Sequence, residues 1–310
     1  MKTINLKSYA KINLCLDVKG LLEGGFHEVE MVMQQILLCD DISVKWEPAE
    51  EEGLTISLST NRHYLPTDER NLAYKAALLM KEDYGGDKNG KLTIYIKKRI
   101  PVAAGLAGGS GNGAAILHAL NVLWDLDLSV SQLCETGSKL GSDVPFCVMG
   151  QAAENFELKK IFADDPMACH CALATGRGTE LKPLHGLKSH LVLSKPPISV
   201  STAEVYKGID NVEISRRPDS AEMIKGLEAE DRKLVIKNMV NVLENFTLKR
   251  YPIVVYTKNK IQDECNPEAV LMSGSGPTVF GLCDSIEQSK AICAKLKEEN
   301  RESFWTRTTY

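Results

Sequence analysis

The chain has 310 residues, 44% hydrophobic and 25% charged, with a net charge of −4. That composition is globular and long enough for two domains, and it gives no broad electrostatic case for binding nucleic acid or an anionic membrane. Nine cysteines, an odd number scattered along the chain, point to reduced thiols in the cytoplasm and away from a disulfide framework.

The first stretch, MKTINLKSYAKINLCLDVKG, has no apolar core followed by a small-residue cleavage site, so no secretory leader is expected. No run reaches the apolar length that crosses a bilayer. Within it Ile12, Leu14 and Leu16 alternate with Lys11, Asn13 and Cys15. Period two predicts a half-buried strand, and taken alone it puts Lys11 and Asn13 on a solvated face. EVEMVMQQILL, DDISVKW and LTISLS continue as strands. ERNLAYKAALLMKEDYGG reads as a helix with Leu72, Ala76, Leu79 and Met80 inward, closed by Gly85-Gly86. KLTIYIKKRIP is a strand stopped at Pro101.

After a glycine-dense stretch, Ile116, Leu117, Leu120, Leu123 and Trp124 recur at helical spacing. Ser131 is expected to cap a short helix, Leu133 to Leu140, that stops at Gly141. VPFCVMG reads as a short strand, with Asp143 at the helix-to-strand joint. Cys169 and Cys171 flank His170 without a second ligand pair, so no metal site is expected there. ATGRGTELKPL is a turn-rich connector and SHLVLSKPP a strand. Helical stretches follow near 220–226 and 231–244. AVLMSGSGPTVFGLCDS reads strand, glycine turn, strand. SIEQSKAICAKLKEEN closes the chain as a helix with Ile286, Ala291, Ile292 and Leu296 inward. Strands and helices mix without a regular βαβ order or internal repeat. The fold class is α+β, with a domain boundary between 150 and 183.

The chemistry concentrates in PVAAGLAGGSGNGAA, Pro101 to Ala115. No lysine follows its glycine pairs, which rules out a Walker loop. Gly109 to Ala114 fits a dinucleotide fingerprint in form. However, the preceding strand ends too early, and Asp125 and Asp127 come sooner than the acid expected about 20 residues on. A phosphate cradle of another kind and a flexible linker remain. The flanking strand and helix favour the cradle.

Three segments together resemble the GHMP small-molecule kinases: SYAKINLCLDV, PVAAGLAGGSGNGAA and MSGSGPTVFGL. The resemblance implies two domains, an N-terminal one like the second domain of ribosomal protein S5 and a C-terminal ferredoxin-like one, with the active site between them. On this sequence that places the domains at 1–172 and 173–310, with 151–170 as an additional loop or helical protrusion. AKINL, GGFHEVEMVMQQ, GSDVPF and ATGRGTELKPL narrow it to the branch whose acceptor alcohol carries a cytidine diphosphate. A homoserine or mevalonate-type acceptor is the alternative within the family. A nucleotide-binding relative that kept the fold and lost the reaction is the alternative of another class.

Carried over residue by residue, the resemblance makes Lys11 and Asp143 catalytic. It assigns ATP to Lys98, whose main chain meets the adenine, and to Pro101, Val102, Ala103, Ala104, Gly105, Leu106, Ala107, Gly108, Gly109, Ser110 and Gly111. It assigns the substrate to Asn13, Phe26 and His27. It also implies Mg²⁺ with the ATP, a small-molecule substrate, no nucleic-acid or membrane partner, and a monomer or homodimer. An aspartate of ordinary pKa, about 3.9, is a weak base, but a loose transition state asks little of it. Lys11 would keep Asp143 charged and balance the moving phosphoryl group. Three positions depart from the family. Phe26 replaces a tyrosine, keeping the stacking face and losing the hydroxyl. Ala107 replaces a glycine and Gly111 a serine, and the loop closes if position 107 does not need φ > 0.

Overall fold

The computed structural model describes residues 1–265 and 269–310. The chain divides into two compact units. The first holds Met1–Ala10, Cys39–Ile100 and Ala107–Cys169; the second holds Lys11–Leu38, Pro101–Leu106 and His170–Tyr310. Two long strands, β1 (Lys2–Leu21) and β2 (His27–Pro48), pair with each other and run through both units.

In the first unit the chain adds β3 (Leu54–Thr60), α1 (Leu72–Tyr84) and β4 (Gly90–Lys97). β3 and β4 are parallel, from Leu54↔Gly90 to Thr60↔Ile96, as a helical crossover permits. β2 joins β4 antiparallel, with Val44 opposite Ile94. Four helices follow: α2 (Gly108–Leu123), α3 (Val130–Ser138), α4 (Val144–Glu154) and α5 (Phe156–Ile161). The core packs Leu92, Ile94 and Ile96 of β4 with Ile116, Leu117 and Leu120 of α2, all at most 1% exposed. Trp46 and Trp124 meet edge to face at 5.6 Å.

In the second unit β5 (Cys171–Thr175) pairs antiparallel with β2 and, through a tight turn, with β6 (Glu180–Leu184). The connector expected from ATGRGTELKPL is therefore a hairpin. β7 (His190–Lys195) starts a second sheet. The chain then runs through α6 (Thr202–Ile209), α7 (Ser220–Glu228), α8 (Arg232–Lys237), α9 (Glu244–Arg250) and α10 (Pro252–Cys265). β8 (Val270–Met272), β9 (Val279–Cys283), α11 (Ile286–Lys297) and β10 (Glu302–Arg307) complete it. This sheet has the order β10-β7-β9-β8, all antiparallel.

Several expectations are corrected. VPFCVMG is helical: it opens α4, with a proline in the first turn, where its missing N–H costs nothing. An apolar run buried on every side shows no period that separates helix from strand. α3 is capped two residues earlier than expected, by Ser129, whose hydroxyl and the Gln132 side chain form a capping box. In α1 the buried residues are Ala73, Ala76, Ala77 and Met80, and in α11 Ala291 is exposed while Cys293 is buried. The stretch 151–170 is no surface excursion. Its start completes α4, and Gln151, Asn155, Leu158 and Phe162 are buried. The Asn155 carboxamide pairs with the backbone of Lys7, accepting its N–H at 2.7 Å and donating to its carbonyl at 2.9 Å.

Candidate functional site

The alternating strand around Lys11 is buried on both faces. Lys11 is 4% exposed and Asn13 and Cys15 not at all, so the solvated face expected from the alternation is corrected. Buried polar groups need partners. The Lys11 ammonium donates to Asn13 Oδ1 at 2.8 Å, and the Lys11 backbone N–H donates to the Leu106 carbonyl at 3.2 Å. Lys11 thus lies against the glycine loop within the second unit.

The other glycine turn reaches the same loop. Ser273 Oγ donates to the Gly105 carbonyl at 2.9 Å. Gly105 sits at φ +71°, and a Cβ there would lie 2.1 Å from the Ser273 carbonyl oxygen, so only glycine fits. Asn241 fixes this turn from behind, donating to the carbonyls of Met272 and Gly274, each at 2.8 Å. The backbone of Leu16 in β1 in turn pairs with Val240 and Val242. Four segments of the second unit therefore meet: the Lys11–Asn13 strand, the loop 101–106, the Asn241 segment and the Ser273 turn.

The loop's amides are available. Among the described residues, the backbone N–H groups of Val102, Ala103, Gly105 and Leu106 donate no hydrogen bond. In the first unit the same holds for Ala107 to Ser110, where α2 begins, since the opening N–H groups of a helix have no intrahelical acceptor. The helix starts inside the glycine run, earlier than expected. Ala107 stands at φ +55°, so position 107 does need φ > 0, and the alanine carries that strain.

A buried polar cluster braces the helix start in the first unit. Lys98, 5% exposed, pairs with Asp40, which is not exposed at all. Asp40 also accepts from the N–H groups of Arg99 at 2.7 Å and Ile100 at 2.8 Å, and from the Asn112 side chain at 2.8 Å. Burial lowers the Lys98 pKa against the pull of Asp40. A Cβ on Gly111 would lie 2.6 Å from Ser8 Oγ, which explains why no serine stands there. The Lys98 backbone is held by one side chain: its N–H donates to Asn61 Oδ1 at 2.7 Å, and Asn61 Nδ2 donates to its carbonyl at 3.3 Å.

Asp143 belongs to the first unit and Lys11 to the second. Asp143 is half-buried at the residue before α4, and its carboxylate makes no capping bond to that helix.

The β1–β2 hairpin tip carries Phe26 and His27 in the second unit. Phe26 is 47% exposed, and the Arg177 guanidinium stacks on its ring at 3.5 Å from the centroid. His27 Nε2 lies 2.8 Å from Asp210 Oδ1, and its ring is 5.3 Å from that of Tyr206. Reading the sequence missed Arg177, Tyr206, Asp210, Asn61, Asp40 and Asn241. Arg177 lies in a motif that was visible, and Ser273 in another; the rest carry no local pattern. Among the described residues no group of three or more His, Cys, Asp or Glu could hold a metal ion.

Comparison with known proteins adds a second line of observation. Two family profiles match the chain: the GHMP kinases N terminal domain over residues 71–151 and the GHMP kinases C terminal over residues 223–302. A 4-diphosphocytidyl-2-C-methyl-D-erythritol kinase of Alkaliphilus metalliredigens is 44% identical over 297 residues, 96% of this chain and 93% of its own. A crystal structure of 4-(cytidine 5'-diphospho)-2C-methyl-D-erythritol kinase superposes with a TM-score of 0.77 at 26% identity, covering 99% of this chain and 100% of that one. A homoserine kinase from Cytophaga hutchinsonii shares the fold, with a TM-score of 0.68 at 18% identity over 100% of this chain and 95% of its own.

Proposed function

The chain belongs to the GHMP kinases, and from that premise we infer that it transfers the terminal phosphoryl group of ATP to 4-diphosphocytidyl-2-C-methyl-D-erythritol, at its 2-hydroxyl, in non-mevalonate isoprenoid synthesis. One observation in the chain itself carries the reading. The loop of unpaired amides from Val102 onward has no charge of its own, and it is locked to the Lys11 strand and the Ser273 turn. Such amides and a helix start suit phosphate oxygens, so the residues present fit ATP.

Phosphoryl transfer asks the protein for positioning and charge stabilisation. Asp143 is assigned to take the proton of the acceptor hydroxyl as its oxygen bonds to the γ-phosphorus and ADP leaves. Lys11 is assigned to balance charge on the moving group. The loop 101–111 would hold the phosphates, and the Lys98 backbone the adenine once Asn61 yields or shares it. Phe26 and His27, with Asn13, would bind the cytidine-bearing substrate; the Asp210 contact orients the imidazole. Mg²⁺ bound with the ATP would neutralise its phosphates. The family resemblance also supports an S5-like domain over 1–172 and a ferredoxin-like one over 173–310. Among the described residues no helix is long and apolar enough to cross a membrane. The enzyme proposed here is cytoplasmic and acts on a small molecule, as a monomer or homodimer.

The test offers the purified protein Mg-ATP with the cytidylyl substrate, mevalonate or homoserine in turn. Turnover is expected only with the first, and turnover of mevalonate alone overturns the assignment. Asp143→Asn is expected to lower kcat by at least about 100-fold, the scale of general-base catalysis, while ATP binding persists.

A further inference from the structure

The tip of the β1–β2 hairpin, in the second unit, holds its two ring side chains in different ways. The His27 side chain is 8% exposed, fixed by Asp210 at 2.8 Å and flanked by the Tyr206 ring at 5.3 Å. Phe26 is 47% exposed. Its backbone is anchored, since its carbonyl accepts from the Leu22 N–H at 2.6 Å. A phenyl ring, however, has no group that a hydrogen bond could fix. Among the described residues its one aromatic or cationic contact is the Arg177 guanidinium, 3.5 Å from the ring centroid.

Arg177 is placed for that contact by its own turn. It stands between Gly176 at φ +62° and Gly178 at φ +88°, in the turn of the β5–β6 hairpin. The Gly178 N–H closes the turn on the Thr175 carbonyl at 2.9 Å, and the Gly176 carbonyl accepts from the Val29 N–H at 2.8 Å. The last bond ties the turn to β2 just beyond Phe26 and His27. Among the described residues the guanidinium makes no hydrogen bond or ion pair, so the stack on Phe26 is its one polar or charge-based contact. It covers one face of the half-exposed ring and leaves the other for a base.

We propose that Arg177 is a positioning residue for the acceptor substrate. It holds Phe26 as the platform on which the cytosine stacks, with guanidinium and base on opposite faces of the ring. The proposal rests on the assignment of Phe26 and His27 to the cytidine-bearing substrate. Stacking on a cation fixes the ring without a hydroxyl. A ring already held also loses less rotamer freedom when the base arrives.

The test is steady-state kinetics with Mg-ATP and the cytidylyl substrate for the wild type, Arg177→Ala, Phe26→Leu and the double variant. Arg177→Ala is expected to raise the KM of the cytidylyl substrate about two- to fivefold, the scale of one exposed cation–π contact. Its kcat and its KM for ATP should match the wild type, as they do when only binding of one substrate is lost. In the Phe26→Leu background the same substitution should add nothing, because the platform it acts through is gone. A KM that falls in Arg177→Ala shows the guanidinium on the base's own face, and an unchanged KM shows that it holds nothing; either overturns the proposal. So does an Arg177→Ala effect that persists in full beside Phe26→Leu, the mark of a direct contact with substrate. Absence of turnover by the wild type overturns the substrate assignment itself, and the proposal with it.

Discussion

Acidification should destabilise the fold through one histidine. His118 lies in α2, is not exposed at all, and packs edge to face on Phe162 at 5.5 Å. Its Nε2 lies 2.9 Å from the Val148 carbonyl, so Nε2 carries the proton, while Nδ1 is buried with no hydrogen-bond partner among the described residues. Burial lowers its pKa from 6.5 to about 4, outweighing the bond to Val148. The unfolded chain therefore binds this proton more readily than the folded one. The stabilisation from keeping the ring neutral is complete above about pH 6.5 and is lost as the pH falls toward about 4. At pH 5 the loss is RT ln[(1 + 10^1.5)/(1 + 10^−1)], or about 2 kcal/mol, from those two values. The assay is urea unfolding at pH 7 and pH 5 for the wild type and for His118→Gln, which keeps a donor for Val148 and cannot titrate. Carboxylates common to both cancel in the comparison. The wild type should lose about 2 kcal/mol more than the variant. Equal losses would refute the claim that the imidazole is held neutral.

Gly105→Ala puts a Cβ 2.1 Å from the Ser273 carbonyl at φ +71°, so it should cost at least about 2 kcal/mol and raise the KM for ATP; a urea midpoint and steady-state kinetics check both. Lys98→Met leaves the Asp40 carboxylate buried without its cation and should cost about 3–5 kcal/mol, and adding Asp40→Asn should return part of that in thermal unfolding. Ala107→Val places a β-branched residue at φ +55°, which should lower stability by about 1–2 kcal/mol relative to alanine, read from the denaturant midpoint.

Local chemistry made much of the chain legible. The strand and helix of KLTIYIKKRIP and the run from Ile116 were visible because alternation and helical spacing follow directly from backbone geometry. The motifs AKINL, PVAAGLAGG, GSDVPF and MSGSGP stood out because glycine and charge at fixed spacing have few other uses. VPFCVMG did not reveal its helix, since an apolar segment packed on all sides has lost the period that would distinguish it. Asp40, Asn61 and Asn241 were silent because each works on a backbone far away in sequence.

The sequence by itself determined most of the elements whose period survives packing, the family and the residues that carry charge or glycine. The environment of those residues was decided only in three dimensions. Alternation assigns Lys11 to a face, and packing turns that face from solvated to buried. Spacing identifies Gly105, and the Ser273 carbonyl against it is what forbids any other residue there. Nothing local announces that Arg177 stacks on Phe26, far away in sequence. Burial and partnership are properties of the neighbours, and the chain brings its neighbours together only when it folds.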